Sequence, residues 1–168
     1  MEADGRTVAF VAPVAPGASQ LRLSRVPLDG SAPATAVADW KDAWSGIASL
    51  ENGDLLLREG QQSFVRIPRT GGAPSAPVKI DAARPGVSRY EFAGSIPGSQ
   101  SLFVDVVLYD ARGWHYSVGV MDLKTGRVRI VEDDGGNAHY ASTGHMVFSR
   151  GDAVLAVPFD RARLEARG

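Results

Sequence analysis

Short apolar or alternating runs recur along the chain between turns that contain Gly or Pro: TVAFVAP, LRLSRVP, DLLLRE, SFVRIP, SLFVDVVLY, YSVGVMDL, RVRIVE, HMVFS and AVLAVPF. Most are about four to eight residues long and rich in Val, Leu, Ile and Phe, which predicts β-strands rather than helices. The stretch closest to an amphipathic helix, FDRARLEARG, is short and ends at once on glycine.

The runs are organised as repeats. A glycine turn precedes the first long run of each unit: Gly5 in ADGRTVAFV, Gly53 in ENGDLLLRE, Gly98 in IPGSQSLFVDV and Gly144 in STGHMVFS. These glycines are 48, 45 and 46 positions apart (53 − 5, 98 − 53, 144 − 98). A second strand follows in each unit and ends near Pro27, Pro68, Asp122 and Pro158. Asn-Gly and Asp-Gly before a strand have the chemistry of tight hairpins, because glycine takes positive φ without steric conflict. A further run precedes the turn in the last three units: AWSGIAS, SRYEFAGSI and NAHYAS. The third unit carries an extra stretch, YDARGWH, expected to be a loop insertion.

Four antiparallel strands repeated about every 45 residues is the arithmetic of a β-propeller blade. The expected fold class is therefore all-β, a propeller segment of about four four-stranded antiparallel blades. Approximate blades fall at 1–38, 39–82, 83–133 and 134–168 within one partial propeller domain. One blade cannot cover both faces of its own sheet, so stability should come from packing between blades. The first unit lacks its innermost strand, and the last ends on a weak outer strand, RLEARG.

Composition narrows the function. Lys and Arg number 18 and Asp and Glu 19, and the basic residues are scattered, so no electrostatic footprint for nucleic acid is present. Cysteine is absent, which removes disulfides, thiol catalysis and thiolate metal sites. No apolar run approaches the roughly 18–20 residues that span a bilayer, and MEADGRTVAF lacks the features of a signal peptide. This segment is therefore not expected to insert directly into a membrane.

The turn-and-strand stretches EADGRTVAFVA, LENGDLLLRE and IPGSQSLFVDV, followed by VPLDGSAP and IPRTGGAP, resemble blades of the TolB-like, WD-type six-bladed propeller superfamily. Two stretches, GGNAHYASTGHMVFSRGDAVLAVPFDRARLE and SRYEFAGSIPGSQSLFV, are similar to blades in the propeller regions that follow bacterial membrane-anchored Ser/Thr protein kinases. The usual Pro-Asp of the turn is missing from all four units, and the third has PGS in place of Asp-Gly. The resemblance implies a segment of a larger propeller, completed by remaining blades or by a partner chain. It also favours a location outside the cytoplasmic membrane, which the residues themselves do not fix. The alternative architecture is a small four-bladed ring, closed by pairing the N-terminal run with the last blade.

No catalytic motif stands out. GxxxxGK[ST], HRD and DFG are absent, and Ser45 in AWSGI lacks the flanking glycines of a nucleophile elbow, so it is read as a strand residue. His115, His139 and His145 show no metal-ligand spacing. Glu132, Asp133 and Asp134 in VEDDGGNAHY are checked as oxygen ligands for calcium, but they do not match the spaced EF-hand pattern and read as an exposed turn. No cofactor and no metal are expected. Trp40 and Trp44, which bracket the entry to the second inner strand, and Tyr90, Phe92 and Tyr140 on the next two read first as packing between blades. The candidate binding residues are Asp42, Trp44, Arg89, Glu91, Asn137 and His139, polar and aromatic positions on or near the inner strands that line a propeller channel or its rim.

Two functions follow. The first is a non-catalytic binding or sensor module for a protein, peptide or glycan, with the TolB-type scaffold role in the same class. The second is the propeller of an enzyme: the gating domain of a prolyl-oligopeptidase-like serine peptidase, or a metal-dependent lactonase-type propeller. A purely structural stack of blades, prone to self-association through open edges, is a third.

Overall fold

The computed structural model describes residues 5–41, 46–81, 84–111 and 113–167. Every regular element among them is a β-strand, as the runs of β-branched and aromatic residues predict. The first sheet has three strands in the order β1 (Thr7–Pro13), β2 (Leu21–Pro27), β3 (Thr35–Trp40). The second has four: β4 (Ile47–Ser49), β5 (Leu55–Arg58), β6 (Ser63–Ile67) and β7 (Val78–Lys79). The third comprises β8 (Val87–Ser95), β9 (Ser101–Asp110), β10 (Gly113–Asp122) and β11 (Val128–Glu132). The fourth comprises β12 (Gly136–Ala141), β13 (His145–Arg150), β14 (Ala153–Asp160) and β15 (Glu165–Ala166). Each sheet is a meander in chain order, which is why short turns suffice and no crossover is needed.

The chain forms two compact units. One comprises Met1–Gly60 with Phe64–Pro77, the other Gln61–Ser63 with Val78–Gly168. In the first unit, Leu21 and Leu23 of β2 meet Leu55 and Leu57 of β5 and Val65 and Ile67 of β6, with Trp40 alongside. Alternate residues of each strand supply this core, because side chains on a strand point to opposite faces in turn. Arg25 on β2 reaches to the turn of the next sheet and donates to the Gly53 carbonyl at 2.7 Å. In the second unit, Phe103, Val118 and Val120 of the third sheet pack on Ala138, Met146, Phe148 and Phe159 of the fourth. The Phe103 and Phe159 rings meet edge to face, 5.0 Å apart. A similar arginine tie recurs there: Arg161 Nη1 donates to the Pro97 carbonyl at 3.2 Å.

The repeated turn glycines share one backbone state. Gly5, Gly53, Gly98 and Gly144 have φ of 66°, 82°, 70° and 86°, the left-handed region that residues with a Cβ rarely adopt. The period of about 45 residues seen in the sequence is thus a repeated conformational requirement as well as a repeated letter.

One expectation is corrected. The YDARGWH stretch is not a loop inserted between strands. Tyr109 and Asp110 end β9, and Gly113, Trp114 and His115 begin β10, so the hairpin is lengthened to ten residues on each side. Trp114 pairs with Tyr109 and His115 with Leu108, and aromatic and branched residues in facing positions favour continued pairing over a loop. Of the aromatic residues expected to pack between blades, Trp40 and Tyr90 are buried, Phe92 and Tyr140 are half-buried, with Tyr140 against the core shared by the third and fourth sheets, and Trp44 lies outside the described residues.

Antiparallel order fixes which turns share an end of the second unit. The β9–β10 turn, the 133–135 link from β11 to β12, and the β13–β14 turn all lie at one end of these sheets. A backbone bond ties the 133–135 link to β10, with Gly135 N–H donating to the Tyr116 carbonyl at 3.2 Å.

Candidate ligand-binding face

The register of the third sheet places polar and aromatic residues in one row. Across β8, β9 and β10, Glu91 faces Asp105, Arg89 faces Val107, Val107 faces Tyr116, and Tyr109 faces Trp114. Residues directly opposite on paired strands lie on the same face, and so do residues two apart on one strand. Arg89, Glu91, Asp105, Tyr109, Trp114 and Tyr116 therefore share a face of the sheet. Tyr109 and Trp114 are 60% and 56% exposed, and their rings lie 4.8 Å apart. The Arg89 guanidinium sits over Trp114 at 5.3 Å and its Nε donates to Glu91 Oε1 at 2.7 Å.

The fourth sheet closes the other side. Its first strand carries a register irregularity between Gly136 and His139, and Asn137 in that interval has a left-handed backbone with φ of 54°. Asparagine tolerates this conformation better than most residues. The bulge aims the Asn137 N–H at Asp105 Oδ1, 2.8 Å away. Gly136 lies against the same carboxylate; a Cβ there would stand 3.4 Å from Asp105 Oδ2. The result is a cleft of about 470 Å³ whose walls include Glu91, Asp105, Trp114, Tyr116 and Asn137.

Asp105 is the unusual residue of the cleft. It is only 5% exposed and interrupts an otherwise apolar strand, SLFVDVVL. Burial pushes its carboxyl up to about 6; the Asn137 hydrogen bond opposes that shift, and the negative charge of Glu91 adds to it. A folded-state value above the unfolded 3.8 means that the folded chain holds more protons between about pH 4 and pH 6. This group's contribution to stability is therefore greatest below pH 4, declines as pH rises through 6, and is constant above. Asp105→Asn keeps an acceptor for Asn137 and removes the charge. It is expected to raise stability at pH 7.5 by about 2 kcal/mol, a few degrees in Tm, and to leave stability at pH 3.5 unchanged. Melting curves of both proteins across that range test this; equal shifts at both pH values would show that Asp105 is not desolvated in the fold.

The sequence-nominated residues separate as follows. Glu91 and Asn137 line the cleft, and Arg89 adjoins it through Glu91 and Trp114. His139 lies outside this group, beside Gly94 of β8, where a Cβ on that glycine would come within 2.7 Å of His139 Nδ1. Asp42 and Trp44 lie outside the described residues. Sequence reasoning missed Asp105, and the available signal was a lone carboxylate in the middle of an apolar run. It also missed the pairing of Trp114 with Tyr109, because that stretch was taken for a loop.

The acidic run is held by arginines. Asp133 pairs with Arg84 at 2.8 Å, and Glu132 with Arg150 at 2.8 Å, while Arg150 Nε donates to the Asp134 carbonyl at 2.9 Å. Among the described residues no three acidic or histidine side chains converge as a metal-binding group.

Comparison with known proteins bears on the fold. Over 99% of its length the chain is similar to the structure of a putative TolB from Agrobacterium tumefaciens, with a TM-score of 0.58 and 15% identity. It is likewise similar over 99% of its length to puromycin hydrolase, with a TM-score of 0.52 and 20% identity. It spans 58% of the first of those chains and 27% of the second. No family model matches the chain, and no curated protein sequence matches it. The fold is therefore that of a β-propeller segment of antiparallel sheets, and the likeness extends to fold alone.

Proposed function

We propose that this chain is the binding part of a larger propeller protein, and that its ligand face is the turn-bearing end of the third and fourth sheets. The partner class is a protein, peptide or glycan. One observation carries the proposal: the tilted Tyr109–Trp114 ring pair is exposed beside a hydrogen-bonded Arg89–Glu91 pair and a buried carboxylate. Cross-strand pairing holds the hairpin but does not call for large rings in contact with solvent, and Trp, Tyr and Arg are the residues that most often dominate binding energy. The similarity of two blades to kinase-linked propellers supports a sensor role for such a face, with the kinase carried elsewhere in the parent protein. A scaffold role of the TolB type fits the same face.

A second reading has a specific support in the fold likeness to puromycin hydrolase. Under it the chain is the propeller of a serine hydrolase and gates access to a separate domain. That domain would have to supply Ser, His and Asp, since fold likeness alone assigns no chemistry. Sequencing the DNA on both sides of the segment separates the two. A kinase domain with a membrane span upstream supports the sensor, and a hydrolase domain downstream overturns it.

The binding face has its own test. The chain and its Trp114→Ala variant are applied to peptide and glycan arrays. Trp114 is exposed, so the variant should melt within about 0.5 kcal/mol of the parent. It should lose at least about tenfold in affinity for the ligand class that the parent retains. Equal binding by both proteins would place the ligand elsewhere.

A further inference from the structure

We infer that the Asp105 cleft binds an alkylammonium group, the chemistry of a lysine side chain or of a free primary amine. This rests on the binding role proposed above and narrows its ligand. Asp105 lines the cleft, and among the described residues it accepts one hydrogen bond, from Asn137 N–H to Oδ1, with no donor to its other oxygen. No lysine or arginine of the described chain pairs with it: Arg89 is taken by Glu91, Arg84 by Asp133, and Arg150 by Glu132. A desolvated carboxylate with an open acceptor calls for a compact cation that can donate hydrogen bonds.

The walls suit the rest of such a ligand. Tyr116 and Trp114 stand on the same face as Asp105, two and four residue pairs further along the hairpin. Aromatic faces attract cations and pack well against a methylene chain. The molecule already contains a demonstration, since Arg89 places its own cation over Trp114 and its own donor on Glu91. An incoming ammonium would repeat that pattern on the adjacent strand, with Asp105 of β9 as the acceptor. A guanidinium is a planar fork suited to two oxygens at once, whereas Asp105 offers one open oxygen, so a point-like ammonium fits better. A neutral glycan gives this carboxylate no counter-charge.

Amide NMR on the full chain tests the inference. The probe is n-butylammonium chloride, with sodium chloride and tetramethylammonium chloride as controls at equal ionic strength. Tetramethylammonium carries the charge without the N–H donors. Butylammonium should shift the Gly136 and Asn137 resonances saturably, and the two controls should not. Asp105→Asn should weaken that response at least tenfold, and Trp114→Ala severalfold. A response from tetramethylammonium equal to that from butylammonium, no saturable response above sodium, or an unchanged affinity in Asp105→Asn overturns the inference. Should Asp105→Asn fail to fold, an unchanged affinity in Trp114→Ala does so instead.

A lysine peptide distinguishes the sources. Binding at least tenfold tighter than butylammonium assigns the group to a protein partner, and equal binding assigns it to a free amine. A Trp114-dependent ligand on the arrays with no ammonium response removes this inference and leaves the binding role standing. An ammonium response without any array ligand does the reverse for a macromolecular partner.

Discussion

Gly126→Ala is expected to destabilise the second unit by about 3 kcal/mol or more, the largest effect anticipated for a single methyl group in this chain. Gly126 closes the turn between β10 and β11 with φ of 74°, and a Cβ there would stand 2.1 Å from the backbone carbonyl oxygen of Lys79. Backbone cannot rotate aside as a side chain can. The same residue anchors the turn, because its N–H donates to the Asp122 carbonyl at 2.9 Å and its own carbonyl accepts from Asp81 N–H at 2.9 Å. The Asp122 carboxylate braces this turn by accepting from Lys124 N–H, Thr125 N–H and the Thr125 hydroxyl. Forcing a methyl group in would separate the Lys79–Asp81 strand end from the turn that it crosses. Gly151→Ala is the control: its φ is 54°, but nothing lies within 4 Å of the added atom. Only the conformational penalty of about 1 kcal/mol should appear there. Urea titrations of both variants measure the difference, and equal destabilisation would refute the close approach at Lys79.

Phe103→Ala is expected to remove about 3–5 kcal/mol from the same unit. Phe103 is fully buried and belongs to the core that joins the third and fourth sheets. Its ring meets Phe159 edge to face, so truncation opens a cavity that neither sheet can fill without moving. Tyr109→Ala on the same strand removes a comparably large ring from an exposed position and should change stability by about 0.5 kcal/mol or less. The contrast tests the principle that a blade is stabilised mainly by its neighbour rather than by its own strands. A loss of under 1 kcal/mol from Phe103→Ala, measured by chemical denaturation, would contradict that packing.

The two effects differ in how far they could be seen in advance. LKTGRV is a recognisable turn, and the glycine in it is an ordinary turn glycine by sequence. What makes Gly126 intolerant is a carbonyl 47 positions earlier (126 − 79). Phe103 was legible as core from SLFVDVVLY, though not its partner, since Phe159 lies on a different sheet. The candidate site shows the same division. Arg89 and Glu91 were nominated as polar residues of an inner strand, and Asn137 from the one that follows. Nothing local to Asp105 indicated that a bulge 32 residues later would offer it an N–H. His139, at the same parity as Asn137 on β12, is separated from the cleft because the bulge ends between them and Gly94 approaches beyond it.

By itself the sequence determined the strand content, the four-fold repetition and the turns, because these depend on alternation and on glycine's access to positive φ, which act over a few residues. Only the tertiary structure decided which face each strand turns toward its neighbour. That depends on register and on bulges, and a shift of one residue exchanges the two faces. The cleft exists because the register across β8, β9 and β10 sets Glu91, Asp105 and Tyr116 on one side, and because the Gly135–Asn137 link folds back over the carboxylate. Contacts between residues far apart in the chain made that site, and such contacts leave no periodic trace in the sequence.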